Sequence, residues 1–323
     1  MIPAQVVTAW RATHPWATDR QVEQDLILSR LAVEIGQHPE LRDRLVWRGG
    51  TCLHKIVLPA PLRYSEDLDY VAFGIGGTDF GPILSALRDV AGGIGLEVAR
   101  TRATSRKLEI RLRFDPSGGG ASSNIKVEVN IDEVDSLFAL DRRTVVIDTE
   151  WWAGQSDVLV FDPTEMIGTK FRALAQRSKG RDLNDLELAH LELALDDGQL
   201  AACAAHYLHH ERIGANEFKA RLFNHLDNPD FVEDVARFIT KPTHLFEPAR
   251  LVERWILWSD EYLDRAMIDI DIAADAPGAN DRLSQWQARR DGLVQCAAWI
   301  NDSGNRRRCR RRLSSGRECL MHI

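Results

Sequence analysis

Asp67 and Asp69 stand two positions apart in the segment RYSEDLDYVAF, residues 63–73. On an extended strand both carboxylates leave one face, while Leu68 and Tyr70 leave the other. Carboxylates held side by side repel, and the pair costs stability unless a cation neutralises it. Oxygen-only ligands suit a hard ion, Mg²⁺ or Mn²⁺, which keeps water or substrate phosphate oxygens in its remaining positions. A bare Asp-x-Asp is more often a turn cap or a solvated strand edge, so its surroundings carry the argument.

Upstream lies Arg48-Gly49-Gly50-Thr51. Gly49 and Gly50 allow a backbone to approach a phosphate closely, and Thr51 is expected to open a helix whose unpaired N–H groups attract an anion. Between turn and carboxylates, Arg63 offers a bidentate phosphate donor and Ser65 a hydroxyl, although a surface role for Arg63 is an equal reading. A third carboxylate is available at Glu128, in IKVEVNI at 125–131, where Lys126, Glu128 and Asn130 share a face. If that face looks into the cleft, Glu128 completes the metal site; if it faces water, it is a solvated strand charge.

A second rich segment, residues 162–186, reads DPTEMIGTKFRALAQRSKGRDLNDL. Lys170 and Arg177 fall on one side of a helix, and the following turn brings Lys179 and Arg181 close by. Such a basic cluster beside an acidic metal pair suits a triphosphate. Asp182 and Asp185, at i and i+3 of the next helix, can orient those cations or move a proton, whereas a helix cap with surface ion pairs explains Asp182 alone.

Among the elements that must position these groups, an amphipathic helix is expected over 19–36, with Asp19 as a possible cap and Val22, Leu26, Ile27, Leu31 and Ile35 on its apolar side. Leu45–Trp47 is a short strand, residues 51–58 a helix closed by Pro59 and Pro61, residues 68–73 a strand and 80–92 a helix. From Gly95 the period drops to two through Leu96 and Val98, Leu108 to Leu112 and Ile125 to Ile131, with a glycine-rich hairpin connection at 116–123 and shorter strands at 145–147 and 158–161. Beyond Pro163 the pattern is helical, over about 164–177, 183–196, 199–211, 216–227, 230–239, 248–266 and 281–301. The expected organisation is a domain of strands and helices at 1–162, a helical domain at 163–303 that completes the site, and an arginine-rich, disordered tail at 304–323.

The chain of 323 residues carries a formal net charge of −7, while seven arginines crowd its last eighteen residues, so the body is more acidic than the total. That excludes broad coating of nucleic acid and leaves room for a local basic groove. Cys52, Cys203, Cys296, Cys309 and Cys319 form no CxxC pair and are expected to be reduced thiols. No apolar run approaches the roughly 18 residues of a membrane span and the N-terminus has no signal-peptide core, so a cytoplasmic protein is expected.

In order, the blocks GGT, RYSEDLDYVAF and KFRALAQRSKGRDLNDL resemble the AbiEii/AbiGii abortive-infection toxin family of the DNA polymerase β-like nucleotidyltransferase superfamily, over roughly residues 20–200. The resemblance implies an α+β fold, with a mixed sheet and flanking helices in the N-terminal half and a helical C-terminal half. It implies transfer of a nucleotide from an NTP with Mg²⁺ or Mn²⁺, related toxins acting on tRNA acceptor ends, and an antitoxin encoded by an adjacent gene. Carried over by position, Asp67 and Asp69 become metal ligands. Gly50, Thr51, Arg63 and Ser65 join the triphosphate site, with Lys170 as the basic residue of the third motif and Asp185 as the acidic residue of the fourth. Either Asp185 or Glu128 is then the base. The Thr51 to Asp67 spacing agrees with this toxin branch, and the arginine-rich end departs from it. An antibiotic-modifying type of nucleotidyltransferase, or a non-catalytic nucleotide-binding module, are the competing readings.

Overall fold

The computed structural model describes residues 2–73, 80–131, 136–238 and 247–268, together with four short segments near the C-terminus. Helix α1 (Ala4–Arg11) leads into α2 (Asp19–Gln37). The residue that caps α2 is Thr18, not Asp19. The Thr18 hydroxyl accepts from the Gln21 N–H and the Gln21 side chain accepts from the Thr18 N–H, a reciprocal capping box that leaves Asp19 in the first turn, where its charge suits the helix dipole.

Seven strands form one mixed sheet: β1 (Leu45–Arg48), β2 (Asp67–Ala72), β3 (Glu97–Ala103), β4 (Lys107–Phe114), β5 (Ser123–Asn130), β6 (Asp141–Asp148) and β7 (Ala153–Val160). Their spatial order is β3-β4-β5-β2-β1-β7-β6, with β2–β5 and β1–β7 parallel and the other pairs antiparallel. Between β1 and β2, α3 (Gly49–Cys52) starts two residues earlier than Thr51 and runs on as a π-helical turn, Leu53–Val57.

Leu108, Ile110 and Leu112 of β4 and Ile125, Val127 and Val129 of β5 are buried on one side of the sheet, where α2 and α4 (Gly81–Ile94) lie. The intervening polar residues stand on the other side, as the period of two requires.

The C-terminal half packs α5 (Pro163–Gln176), α6 (Gly180–Glu192), α7 (Asp197–His210), α8 (Ala215–Asn224), α9 (Pro229–Asp234) and α10 (Pro248–Trp258), which continues through a π-helical turn into α11 (Asp264–Ile268). Asp162 caps α5, accepting from the Thr164 N–H with Pro163 at the first helical position. Phe171, fully buried, meets the rings of Phe218, Trp255 and Trp258 with centroids 5.1–5.7 Å apart and anchors α5 among its neighbours.

Of the helix expected over 281–301, the described pieces Leu293–Gln295 and Trp299–Asp302 are strands. They pair antiparallel with Arg312–Ser314 and Asn305–Arg308 respectively, the two described pieces of the arginine-rich tail. The rest of that helix and tail, with Cys296, Cys309 and Cys319, lies outside the described residues. Cys52 and Cys203 are buried free thiols. Among the described residues no helix is long and apolar enough to cross a membrane.

Candidate active site

Strand β2 places Asp67 and Asp69 half-buried on the polar side of the sheet while Leu68 and Tyr70 are buried on the other. The parallel register with β5 sets Lys126 beside Asp67 and Glu128 beside Asp69. The Lys126 ammonium reaches Asp67 at 3.2 Å and Glu128 at 3.5 Å, and Lys107 of β4 reaches Glu128 at 3.0 Å. Glu128 therefore does turn toward the aspartates, but its carboxylate is held by two lysines. Asp69 makes no ion pair among the described residues. Burial, with the neighbouring Asp69 charge against it and Lys126 partly relieving it, pushes the Asp67 carboxyl up to about 6.

The two glycines before β2 serve the side chains around them. Gly49 has φ +84, and a Cβ there would come within 2.6 Å of an Asp69 carboxylate oxygen. A Cβ at Gly50 would run into the Arg63 guanidinium. The turn thus lets the backbone pass directly beneath a carboxylate and an arginine, so the close approach is made to protein groups and not to the expected phosphate. Thr51 is buried, its hydroxyl 2.7 Å from that of Ser65 and donating to the Asp67 carbonyl, so it ties the start of α3 to the start of β2.

Below this surface lies a buried charge network. Arg63 forks onto Asp185, Nε to Oδ1 at 2.6 Å and Nη2 to Oδ2 at 2.7 Å, with Nη1 on the Tyr64 carbonyl at 2.9 Å. Asp185 also accepts from His54 Nε2 at 2.9 Å and Lys170 Nζ at 2.8 Å. Lys170 reaches Asp182 at 3.2 Å, and Asp182 receives the Arg177 fork at 2.8 and 3.0 Å. Although burial opposes its charge, Asp185 is held well below the ordinary carboxylate range by Arg63, Lys170 and His54. With its lone pairs engaged and its basicity suppressed, it is a poor proton acceptor. Burial lowers the His54 imidazole; its Nδ1 accepts from the Leu62 N–H at 3.3 Å, so Nε2 carries the proton given to Asp185.

The expected basic cluster is split. Lys170 and Arg177 meet on Asp182, and Arg177, with half its side chain exposed, stands at the rim, where Asp69 and Asp185 add to its stabilisation. Lys179 and Arg181 instead lie near Asp234 at 3.7 and 4.0 Å, with Arg181 over the Phe238 ring, because α6 begins at Gly180 and turns both toward α9. Sequence reasoning misses Lys126, His54 and Asp234. Lys126 is legible in principle, since it shares the strand face of Glu128 two residues on, whereas no local pattern marks His54 or Asp234 as partners of distant charges.

An Asp69 with no direct ion pair among the described residues, an Asp67 that resists ionisation and a lysine already drawn between Asp67 and Glu128 fit a site for an oxygen-ligated divalent cation held by Asp67 and Asp69, with Glu128 adjacent. Among the described residues no group of three or more acidic, histidine or cysteine side chains is gathered closely enough to hold a metal ion, so Asp67, Asp69 and Glu128 do not form a ready three-carboxylate set.

Two outcomes test this geometry. In metal-free protein, Asp67→Asn is expected to raise the melting temperature at pH 8 and leave it unchanged at pH 4. The folded carboxyl titrates near 6, above the roughly 3.9 of an unfolded aspartate. Its stabilising protonated form is complete below the unfolded value and lost as pH rises through the folded one. Gly50→Ala would gain about 1 kcal/mol from helix propensity alone. Displacement of Arg63 is expected to outweigh this and lower stability by about 1–3 kcal/mol, along with turnover. Gly118→Ala, in open space, is the thermal-melt control.

A family profile described as "Nucleotidyl transferase AbiEii toxin, Type IV TA system" matches residues 33–257. No curated protein matches the chain. Among solved structures, the chain is similar to MenT4, a nucleotidyltransferase toxin from Mycobacterium tuberculosis H37Rv, at 17% identity and TM-score 0.55 over 88% of this chain and 99% of that one. It is also similar to JHP933 from Helicobacter pylori at 14% identity and TM-score 0.48, over 84% of this chain and 99% of that one. At these identities the likeness to MenT4 concerns the mixed sheet with flanking helices and the helical second half.

Proposed function

The chain belongs to the AbiEii nucleotidyltransferase toxin family, and from that premise we propose that it transfers a nucleoside monophosphate from an NTP to the 3′ end of an RNA, tRNA above all, with Asp67 and Asp69 as metal ligands. The observation that carries the reading is the pairing of Asp67 and Asp69 on the open face of β2, with Gly49 cleared beneath Asp69 and no ion pair on that carboxylate among the described residues. Mg²⁺ or Mn²⁺ bound there supplies charge stabilisation for the attacking and leaving oxygens. The tRNA end and a cognate antitoxin follow the family resemblance, and the cytoplasm is the compartment where both partners are found.

In the proposed reaction an acceptor hydroxyl attacks the α-phosphate in line. A new P–O bond forms, the bond to pyrophosphate breaks, and the hydroxyl proton leaves to a carboxylate or to water. Asp185, saturated by Arg63, His54 and Lys170, acts as the anchor of the cations. Glu128 stands on the open face, but Lys107 and Lys126 hold its carboxyl below its ordinary range, so it takes that proton only once substrate phosphates draw those lysines away. Arg177, at the rim beside Asp69, meets the triphosphate, while Lys170 and Arg63 hold α5, α6 and the Gly49–Thr51 turn in register. The helical half thereby completes the site of the N-terminal half.

The test is incubation of the purified protein with total RNA and each labelled NTP in the presence of Mg²⁺. Label on RNA of tRNA length, lost on chelation, is the expected result. Absence of label with all four nucleotides and either metal would remove the proposal.

A further inference from the structure

The side of the sheet that carries the aspartates continues past them as a registered ladder of charge. Across four strands the direct partners are Asp67, Lys126, Arg111 and Arg100, and the next rung reads Asp69, Glu128, Glu109 and Arg102. Arg113 stands beside Arg111 on this side, opposite Asn124 and Glu97. Residues directly opposite in a sheet share a face, so each rung leads outward from the candidate metal ligands to the β3 edge in steps of about 4.8 Å, roughly 14 Å in all.

Two properties separate this face from an ordinary solvated one. Six cations, Lys107, Lys126, Arg100, Arg102, Arg111 and Arg113, stand on it against five carboxylates, Asp67, Asp69, Glu97, Glu109 and Glu128, in a chain whose formal net charge is −7. Glu109 pairs with Arg111 at 2.8 Å and Glu128 with Lys107 at 3.0 Å, while exposed Arg100 and Arg102 make no ion pair among the described residues. The ladder also opens into a cleft of ≈ 320 Å³ whose lining pairs the carboxylates of Glu66 and Asp67 with the cations of Arg111 and Lys126, beside the neutral Gln24, Ser123 and Asn124. The cleft adjoins Asp67 on the β5 side, whereas Arg177 and the Lys170 network approach from the α5–α6 side.

We propose that this face of β3, β4 and β5 is the docking surface for the acceptor, a single-stranded RNA end whose phosphodiester backbone runs along Arg100, Arg102 and Arg111 and whose terminal nucleotide enters the cleft beside Asp67. The inference rests on the RNA-directed reading of the site. It adds where the strand lies and from which side it arrives. A chain of phosphates is the occupant that fits because the cations are spread along a flat, open track. A single small anion would need convergent donors, and a small-molecule acceptor would fill the cleft without touching β3.

The experiment compares the full chain with Arg100→Glu/Arg102→Glu, two exposed changes on an edge strand, and with Arg88→Glu, an exposed change on α4 across the sheet. Binding of a fluorescein-labelled single-stranded oligoribonucleotide is followed by anisotropy over a salt series, beside the KM for RNA and the affinity for NTP alone. The double variant is expected to bind RNA at least about tenfold more weakly and to flatten the slope of log K against log salt by about 0.7 for each phosphate it no longer neutralises. Its RNA KM should rise with turnover at saturation and NTP affinity unchanged, and Arg88→Glu should match the parent.

Unchanged RNA affinity and salt slope in the double variant, an equal loss in Arg88→Glu, or no RNA binding by the parent would each overturn the surface. If the parent labels RNA while the double variant keeps its KM, the surface falls and the RNA-directed reading stands. If the double variant loses RNA binding while the parent labels no RNA with any NTP, the surface stands and the transfer reading falls.

Discussion

Asp69→Ala is expected to abolish nucleotide transfer while the protein stays folded. The carboxylate sits half-exposed on β2, beside Asp67 and Glu128, with Gly49 passing beneath it and no ion pair among the described residues. Its charge adds only at a distance to the stabilisation of Arg177 and Lys126, and its removal relieves repulsion on Asp67. What disappears is one of two oxygen ligands for the cation that offsets charge at the reacting phosphate. Loss of several kcal/mol of such stabilisation corresponds to a fall in turnover of about a thousandfold or more. Asp69→Asn, which keeps the shape and removes the charge, should fall nearly as far. Thermal melts and labelled-NTP transfer measured on the same preparations check both halves. A well-folded Asp69→Ala protein that labels RNA at the parental rate would remove Asp69 from the metal site.

Why Asp69 is legible from sequence and its surroundings are not is a matter of range. The period of two puts Asp67 and Asp69 on one face and Glu128 on the polar side of its own strand, and burial follows that alternation throughout β5 and as far as Tyr70 in β2. That β5 lies directly against β2, in the register that sets Glu128 by Asp69 and Lys126 by Asp67, is a long-range pairing that no local spacing encodes. The same holds for Arg63. Its type and position suggest a phosphate donor or a surface charge, whereas its fork closes on a carboxylate 122 residues away, with Gly50 omitting the Cβ that would block it. Lys179 and Arg181 look equivalent to Arg177 by proximity in sequence. The start of α6 at Gly180 decides between them, sending two toward Asp234 and leaving one at the rim. An inward Lys170 implies an anion beside it, and the anions found there are Asp182 and Asp185.

That arrangement reshapes what Lys170→Met should do. With a triphosphate as its only partner, the substitution would spare the fold, since methionine replaces much of the aliphatic stem. In the structure the ammonium is buried between two buried carboxylates and is the group that joins Arg177 to Arg63 through them. Removing it leaves Asp182 and Asp185 facing each other with two guanidinium forks and His54 against them, and breaking one side of such a buried pair costs about 3–5 kcal/mol. Lys170→Met is therefore expected to melt lower by several degrees and to lose turnover by on the order of a hundredfold or more, as Arg177 and the α5–α6 turn lose their fixed position relative to Asp69. Adding Asp182→Asn to Lys170→Met separates the two effects, because it removes the excess negative charge and should recover much of the stability. Arg177 loses its charged anchor in the same step, so transfer should stay low. Melting temperature, NTP affinity and turnover across the four combinations decide the matter. A double variant that regained both stability and transfer would show that Lys170 serves the fold alone, and a single Lys170→Met variant with parental melting and turnover would contradict the buried network itself.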